Sequence, residues 1–360
     1  MRDRSSAAGA RRTAAWSLAG ATAAAMLCSA ADVHAQAAAR TTRTAAAGST
    51  AEAAAGTVPR TSWGDPDLQG TYTNSNESGI PMEQPKELTG RRLEDISQAE
   101  LKTLIEQRAE RARRTAQTIG GTADNDTGAG PSHWYENYNA NNSRAWMISD
   151  PPDGRMPATT DEARRRAAAV RAARRGGDGY YTGPFDGPED LTLYVRCITR
   201  GLPGSMMPAI YGNAYDIVQG PGFVAIRYEM VHETRVIPLD GRPHAPGTMK
   251  SYMGDARGRW EGDTLVVETT NILEKSAYGG ASDRLKITER FRPVSKDVIE
   301  WSATFDDPAT WVRPWTFGMR LTRDESQPVI EYACHEGNDG LRGILSAARA
   351  EEKAAAEARK

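Results

Sequence analysis

From about Tyr211 to Cys334 apolar and polar residues alternate, the period of a strand with one buried face. The alternation predicts strands at Tyr215–Gln219, Phe223–His232, Thr234–Pro238, Met253–Trp260, Thr264–Asn271, Leu285–Arg292, Val298–Phe305, Trp315–Thr322 and Pro328–Cys334. Turn-forming clusters separate them, among them Gly220-Pro221-Gly222, Asp240-Gly241, Glu261-Gly262-Asp263 and Asp306-Asp307-Pro308. Short links make neighbouring strands antiparallel. An open meander of this length would leave two edges bare, and closure removes them. The predicted fold class is mainly β: an antiparallel barrel or strongly curled sheet over residues 211–345, lipocalin-like in general shape, with two N-terminal helices.

Upstream the period lengthens. Ser97 caps a helix, Glu100 completes a capping box, and Ile96 with Leu101 forms a staple. Leu101, Leu104 and Ile105 give that helix one apolar face, and it fades towards Gly120-Gly121. Thr159 with Glu162 caps a second helix, which stops at Gly176-Gly177. Its arginines, Arg164, Arg165, Arg166, Arg171, Arg174 and Arg175, read as a solvated face, with docking of an acidic partner as the sharper alternative. "PDLQGTYT" and "SRAWMISD" are short strands. Residues 61–210 are thus a helical, loop-rich part that packs on the barrel or covers one mouth. Residues 346–360 are a polar tail.

Residues 1–35 have the pattern of an export signal: Arg2, Arg4, Arg11 and Arg12, then uncharged Ala14–Ala31, then Val33-His34-Ala35. Residues 36–60 hold almost no large apolar side chain and read as a disordered linker. The expected location is the periplasm or the exterior after signal removal. Cleavage would take four arginines and two aspartates and leave the chain mildly acidic. That balance gives no electrostatic case for nucleic acid, and the weakly apolar leader gives none for stable membrane insertion. No phosphate loop or glycine-rich dinucleotide motif follows a strand, so no nucleotide cofactor is expected. Cys197 and Cys334 would remain as an even pair in an oxidising compartment, which predicts a disulfide.

Two His-Glu pairs carry the candidate chemistry, "VHETR" and "ACHEGN". A histidine beside a carboxylate suits general acid–base work. The predicted assignment makes His335 the acid or base, Glu336 its orienting partner and His232 a second proton carrier. Arg235 or Arg227 would stabilise developing negative charge, with Glu229 on the same strand. Arg227, Tyr228, Trp301 and Tyr332 are candidate substrate contacts. If the barrel is packed, Val224, Ile226 and Tyr228 point inward; if it holds a ligand, Arg227 and Glu229 line it. Periodicity leaves both open. His232 and His335 with a carboxylate could bind zinc, though neither an HExxH helix nor paired-cysteine spacing is present. Ser205 in "GLPGSMMP" lacks the second glycine of a nucleophile elbow.

The motifs "DPDLQGTYT", "SDPPDGRMP", "VIPLDGRPH", "ARGRWEGDTLVVETTN" and "EYACHEGN" resemble an uncharacterised family of exported bacterial proteins, over about residues 61–350. The resemblance implies a single exported unit and implies no activity, cofactor or catalytic residue. The residues themselves point to an exported lyase, isomerase or hydrolase acting on a small apolar or aromatic molecule. The alternative is a periplasmic carrier or binding protein for a lipophilic ligand.

Overall fold

The computed structural model describes residues 58–120, 141–173, 185–209, 211–326 and 328–359. The predicted signal peptide, nearly all of the predicted linker, Arg174, Arg175 and the Gly176-Gly177 stop lie outside these residues. No described helix is long and apolar enough to cross a membrane.

Ten strands form one antiparallel sheet that curls into a nearly closed barrel. They are β1 (Gly70–Thr73), β2 (Ile148–Asp150), β3 (Ala214–Gly220), β4 (Phe223–Tyr228), β5 (Thr234–Pro238), β6 (Asp255–Glu261), β7 (Thr264–Thr270), β8 (Lys286–Ser295), β9 (Val298–Asp306) and β10 (Trp315–Arg323). Their order is β5-β4-β3-β1-β10-β9-β8-β7-β6, with β2 laid against β10. The short N-terminal strand β1 bridges β3 and β10, and so joins two runs of consecutive hairpins.

The ends of the ladder, β5 and β6, meet side chain to side chain. Gly258 of β6 makes this possible: a Cβ there would lie 2.5 Å from Leu239 and 2.8 Å from Ile237. Inward residues of every long strand fill the interior. Trp301 meets Phe317 edge-on at 5.4 Å, and Phe305 stacks on Trp315 at 4.6 Å.

Two predicted strands are corrected. β4 ends at Tyr228, and Met230–His232 is a 3-10 turn with Val231 at φ 63°. Met230 and Val231 are both buried, which alternation along a strand cannot provide; the positive φ turns both inward. Residues 328–334 run as irregular chain, not as a strand. Both edges of β10 are already occupied, by β9 and by β1 with β2, so no neighbouring ladder is free for them.

Among the described residues three α-helices lie outside the sheet. α1 (Gln98–Gly120) starts as predicted, with Ser97 Oγ accepting from the Glu100 amide at 3.3 Å, but the Glu100 carboxylate binds Arg91 instead of closing the box. α2 (Asp161–Ala173) is capped one residue later than predicted, by Thr160, whose Oγ1 accepts from the Ala163 amide at 3.1 Å. α3 (Asp339–Glu357) absorbs the predicted polar tail; Asn338 caps it by accepting from Leu341.

Residues 191–207 plug one barrel end. Leu202 and Met206 join the barrel core, and the Met206 carbonyl accepts from the Tyr215 hydroxyl at 3.1 Å. The predicted disulfide is formed: Cys197 in this plug is bonded to Cys334, Cα–Cα 5.7 Å, across 137 residues of chain.

Closing so long a loop should stabilise the fold by up to about 5 kcal/mol through the unfolded chain. The Cys197→Ser/Cys334→Ser double variant is expected to unfold at markedly lower denaturant. Reduced wild type should superimpose on it. Equal midpoints for oxidised wild type and the variant would show that the bridge contributes nothing to stability.

Candidate functional site

The middle of the barrel holds two opposite charges. On β5 the run Thr-Arg-Val-Ile-Pro has Ile237 inward, and a two-residue period then forces Arg235 inward and leaves Val236 58% exposed. On β8, Ile287 and Phe291 set the phase and carry Glu289 in between them. The two side chains meet across the seam, with Arg235 Nη1 2.5 Å from Glu289 Oε2 and exposures of 3% and 0%. Arg235 Nη2 donates to Thr269 Oγ1 at 2.6 Å, and Trp301 Nε1 donates to Glu289 Oε1 at 3.2 Å. The Tyr228 hydroxyl lies against the guanidinium.

Burial pulls the Arg235 pKa down, but Glu289 and Tyr228 more than offset it, so the group is held above its ordinary value and stays charged. Burial drives the Tyr228 pKa well above the ordinary phenol value despite the opposing charge of Arg235. Tyr228 is therefore a phenol, a proton donor, at any physiological pH. Hydrogen-bonding capacity is left over: Arg235 Nε is buried without a partner. The arrangement thus unites a carboxylate, a fixed cation and a protonated phenol in an aromatic shell.

Of the predicted site residues, Arg235, Tyr228 and Trp301 are brought together here. Arg227 is not: it faces outward from β4 and pairs with Asp216 at 3.6 Å. The inward face of β4 is therefore Val224, Ile226 and Tyr228, which resolves the alternative left open by periodicity. Glu229 accepts from the Ala214 amide at 3.1 Å at the strand end. His232 lies on the 3-10 turn beyond β4, and its side chain falls outside the described residues. His335 and Glu336 are exposed in the turn that leads into α3, beside the disulfide. Without the predicted last strand, nothing aims them into the barrel. Tyr332 sits on the same segment, its hydroxyl 3.2 Å from that of Tyr211; burial and this neighbour push the Tyr211 pKa up to about 12. Among the described residues no group of three His, Cys, Asp or Glu side chains is placed to hold a metal.

Sequence reasoning missed Glu289 and Thr269. The signal for Glu289 was present: a charge in phase with Ile287 and Phe291 in "KITERF". It also missed His244, whose Nδ1 lies 2.9 Å from Asp255 and Nε2 3.3 Å from Glu268, fastening the loop after β5 to the outer face of the β6–β7 hairpin.

Fold and site together define an antiparallel barrel with a charged, aromatic-walled interior. Comparison with known proteins finds no matching family, no matching curated protein and no matching solved structure.

A buried ion pair is costly to break and cheap to replace whole. Glu289→Leu or Arg235→Met alone should each cost about 3–5 kcal/mol, because each strands the opposite charge. The double variant should return to within about 1 kcal/mol of wild type or exceed it. Denaturant unfolding of the four proteins closes this cycle, and additive losses would mean that the two charges are not coupled.

Proposed function

We propose that the protein is an exported enzyme that moves protons on a small apolar or aromatic molecule, with Glu289, Arg235 and Tyr228 as its acid–base group. The observation that carries this reading is their convergence in the barrel interior with the Arg235 Nε donor still unsatisfied. An ion pair in that position gives stability nothing that an apolar pair would not, and groups shifted as Arg235 and Tyr228 are cluster at functional sites. Export is supported by the leader-like first 35 residues and by the disulfide, a feature of oxidising compartments.

The chemistry follows from the three roles. A substrate carbonyl hydrogen-bonds the free Arg235 Nε. The Glu289 carboxylate removes a proton from the adjacent carbon, and the guanidinium stabilises the enolate that forms. Tyr228 delivers its proton to a second carbon, or to a leaving group, and recovers one from Glu289. The outcome is an isomerisation in the first case and an elimination in the second, with no external co-reactant. Because Glu289 is fully enclosed, substrate enters only when the plug formed by residues 191–207 lifts.

The aromatic shell favours a second reading, a carrier. Rings such as Trp301, Phe291 and Phe317 offer a flat apolar molecule large contact area, and Arg235 would merely anchor it. One experiment separates the two. Purified mature protein is incubated with a pool of apolar and aromatic carbonyl compounds and followed by untargeted mass spectrometry, beside folded Glu289→Gln, Tyr228→Phe and His335→Ala variants. Turnover by wild type that falls at least about a hundredfold in Glu289→Gln and Tyr228→Phe is the expected result. A compound retained and released unchanged by all four identifies a carrier. Turnover lost only in His335→Ala would move the acid–base work to the turn beside the disulfide.

A further inference from the structure

The outer face of the barrel holds a groove that the interior reading does not use. Residues 93–101 and 143–149 lean over β8, β9 and β10 and enclose about 790 Å³. That is room for a small organic molecule. Leu93, Ile96 and Leu101, packed with Trp146 in a small core of their own, make one wall. Arginines make the other.

Most of these arginines are already neutralised. Glu300 pairs with Arg292 and, at 3.4 Å, with Arg320; Glu261 takes Arg290 at 2.9 Å. Arg144 differs. Its guanidinium makes no hydrogen bond and no ion pair among the described residues, and its Nε is sealed from solvent. Burial pushes its pKa down, and Glu77 and Glu300 attract it only from a distance. Gly318 of β10 keeps space for it: a Cβ there would lie 2.8 Å from the Trp301 carbonyl and 3.4 Å from Arg144 Nη1. Arg144 is only partly exposed and has no counter-charge in contact among the described residues, and an anion in the groove would supply one.

We propose that this groove binds a small monocarboxylate with an apolar body, its carboxylate on Arg144 and its body against Leu93, Ile96 and Leu101. The site is independent of the barrel interior, and neither proposal needs the other. Arg supplies the two parallel donors that a carboxylate accepts, and Ser143 and Ser302 line the same groove.

Isothermal titration of the full chain with decanoate, 1-naphthoate and decanol tests it. At least one of the two carboxylates should bind saturably at one site, and decanol at least about tenfold more weakly, the loss of one charge-assisted pair. Arg144→Met should weaken the carboxylate about tenfold or more while its own melting temperature holds or rises, since the stranded charge is gone. Leu93→Asp, at a half-exposed position, should weaken the carboxylate by repulsion, and, with folding checked by its melting curve, it decides the question by the same criterion if Arg144→Met fails to fold. Failure of both carboxylates to bind, equal binding of decanol, or undiminished binding by the folded variant overturns the proposal.

Discussion

Glu289 and Arg235 sit in the barrel at exposures of 0% and 3%, and neither charge is tolerable there without the other. They come from opposite sides of the one place where the ladder is not hydrogen-bonded, the junction of β5 with β6. The pair therefore does across the seam what backbone bonds do elsewhere: it fixes β5 against β7 and β8, with Thr269 and Trp301 as further anchors. A charged contact is also directional, which apolar side chains are not. A slip of β5 by one residue would place Val236 inside and Arg235 in water, and strand Glu289. The register of β5 and the candidate site thus rest on one contact.

Much of the barrel was legible because its strands have one buried face. Thr234–Pro238 was placed to the residue, and five other long strands to within two residues at each end, from alternation and turn chemistry alone. The failures share a cause. Met230 and Val231 are both buried through a positive φ that no period encodes. Residues 328–334 alternate like a strand, yet whether a strand forms depends on a free edge, and that edge was taken by β1, from the far end of the chain. Alternation reports what a segment tolerates, and topology decides whether it finds a partner.

The site was legible in the same uneven way. Arg235, Tyr228 and Trp301 were singled out and do converge, but the histidines drew attention away from Glu289. A histidine is conspicuous by its chemistry wherever it lies. A glutamate is conspicuous only by its phase, when the neighbours two residues away on each side are Ile287 and Phe291. Charges in phase with apolar neighbours were the more informative pattern: they mark Arg235 beside Ile237 as well. Arg227, the residue after Arg235's ladder partner Ile226 and so on the opposite face of β4, fails that criterion and lies on the surface.

The disulfide belongs to the same argument. It does not join strands; it ties the plug over the barrel end, through Cys197, to the segment that displaced the last predicted strand. Tyr194 reaches Met230 and Thr199 donates to Glu233 at 2.6 Å, so the plug also grips the turn that follows β4. The enclosed charge pair needs a dry roof, because water reaching it would weaken the attraction that offsets its burial. A roof made of loop has little hydrogen-bonded structure of its own, and a covalent tie limits how far it can depart. The bridge thus ties the plug down over the barrel end while the ion pair fixes the sheet beneath it.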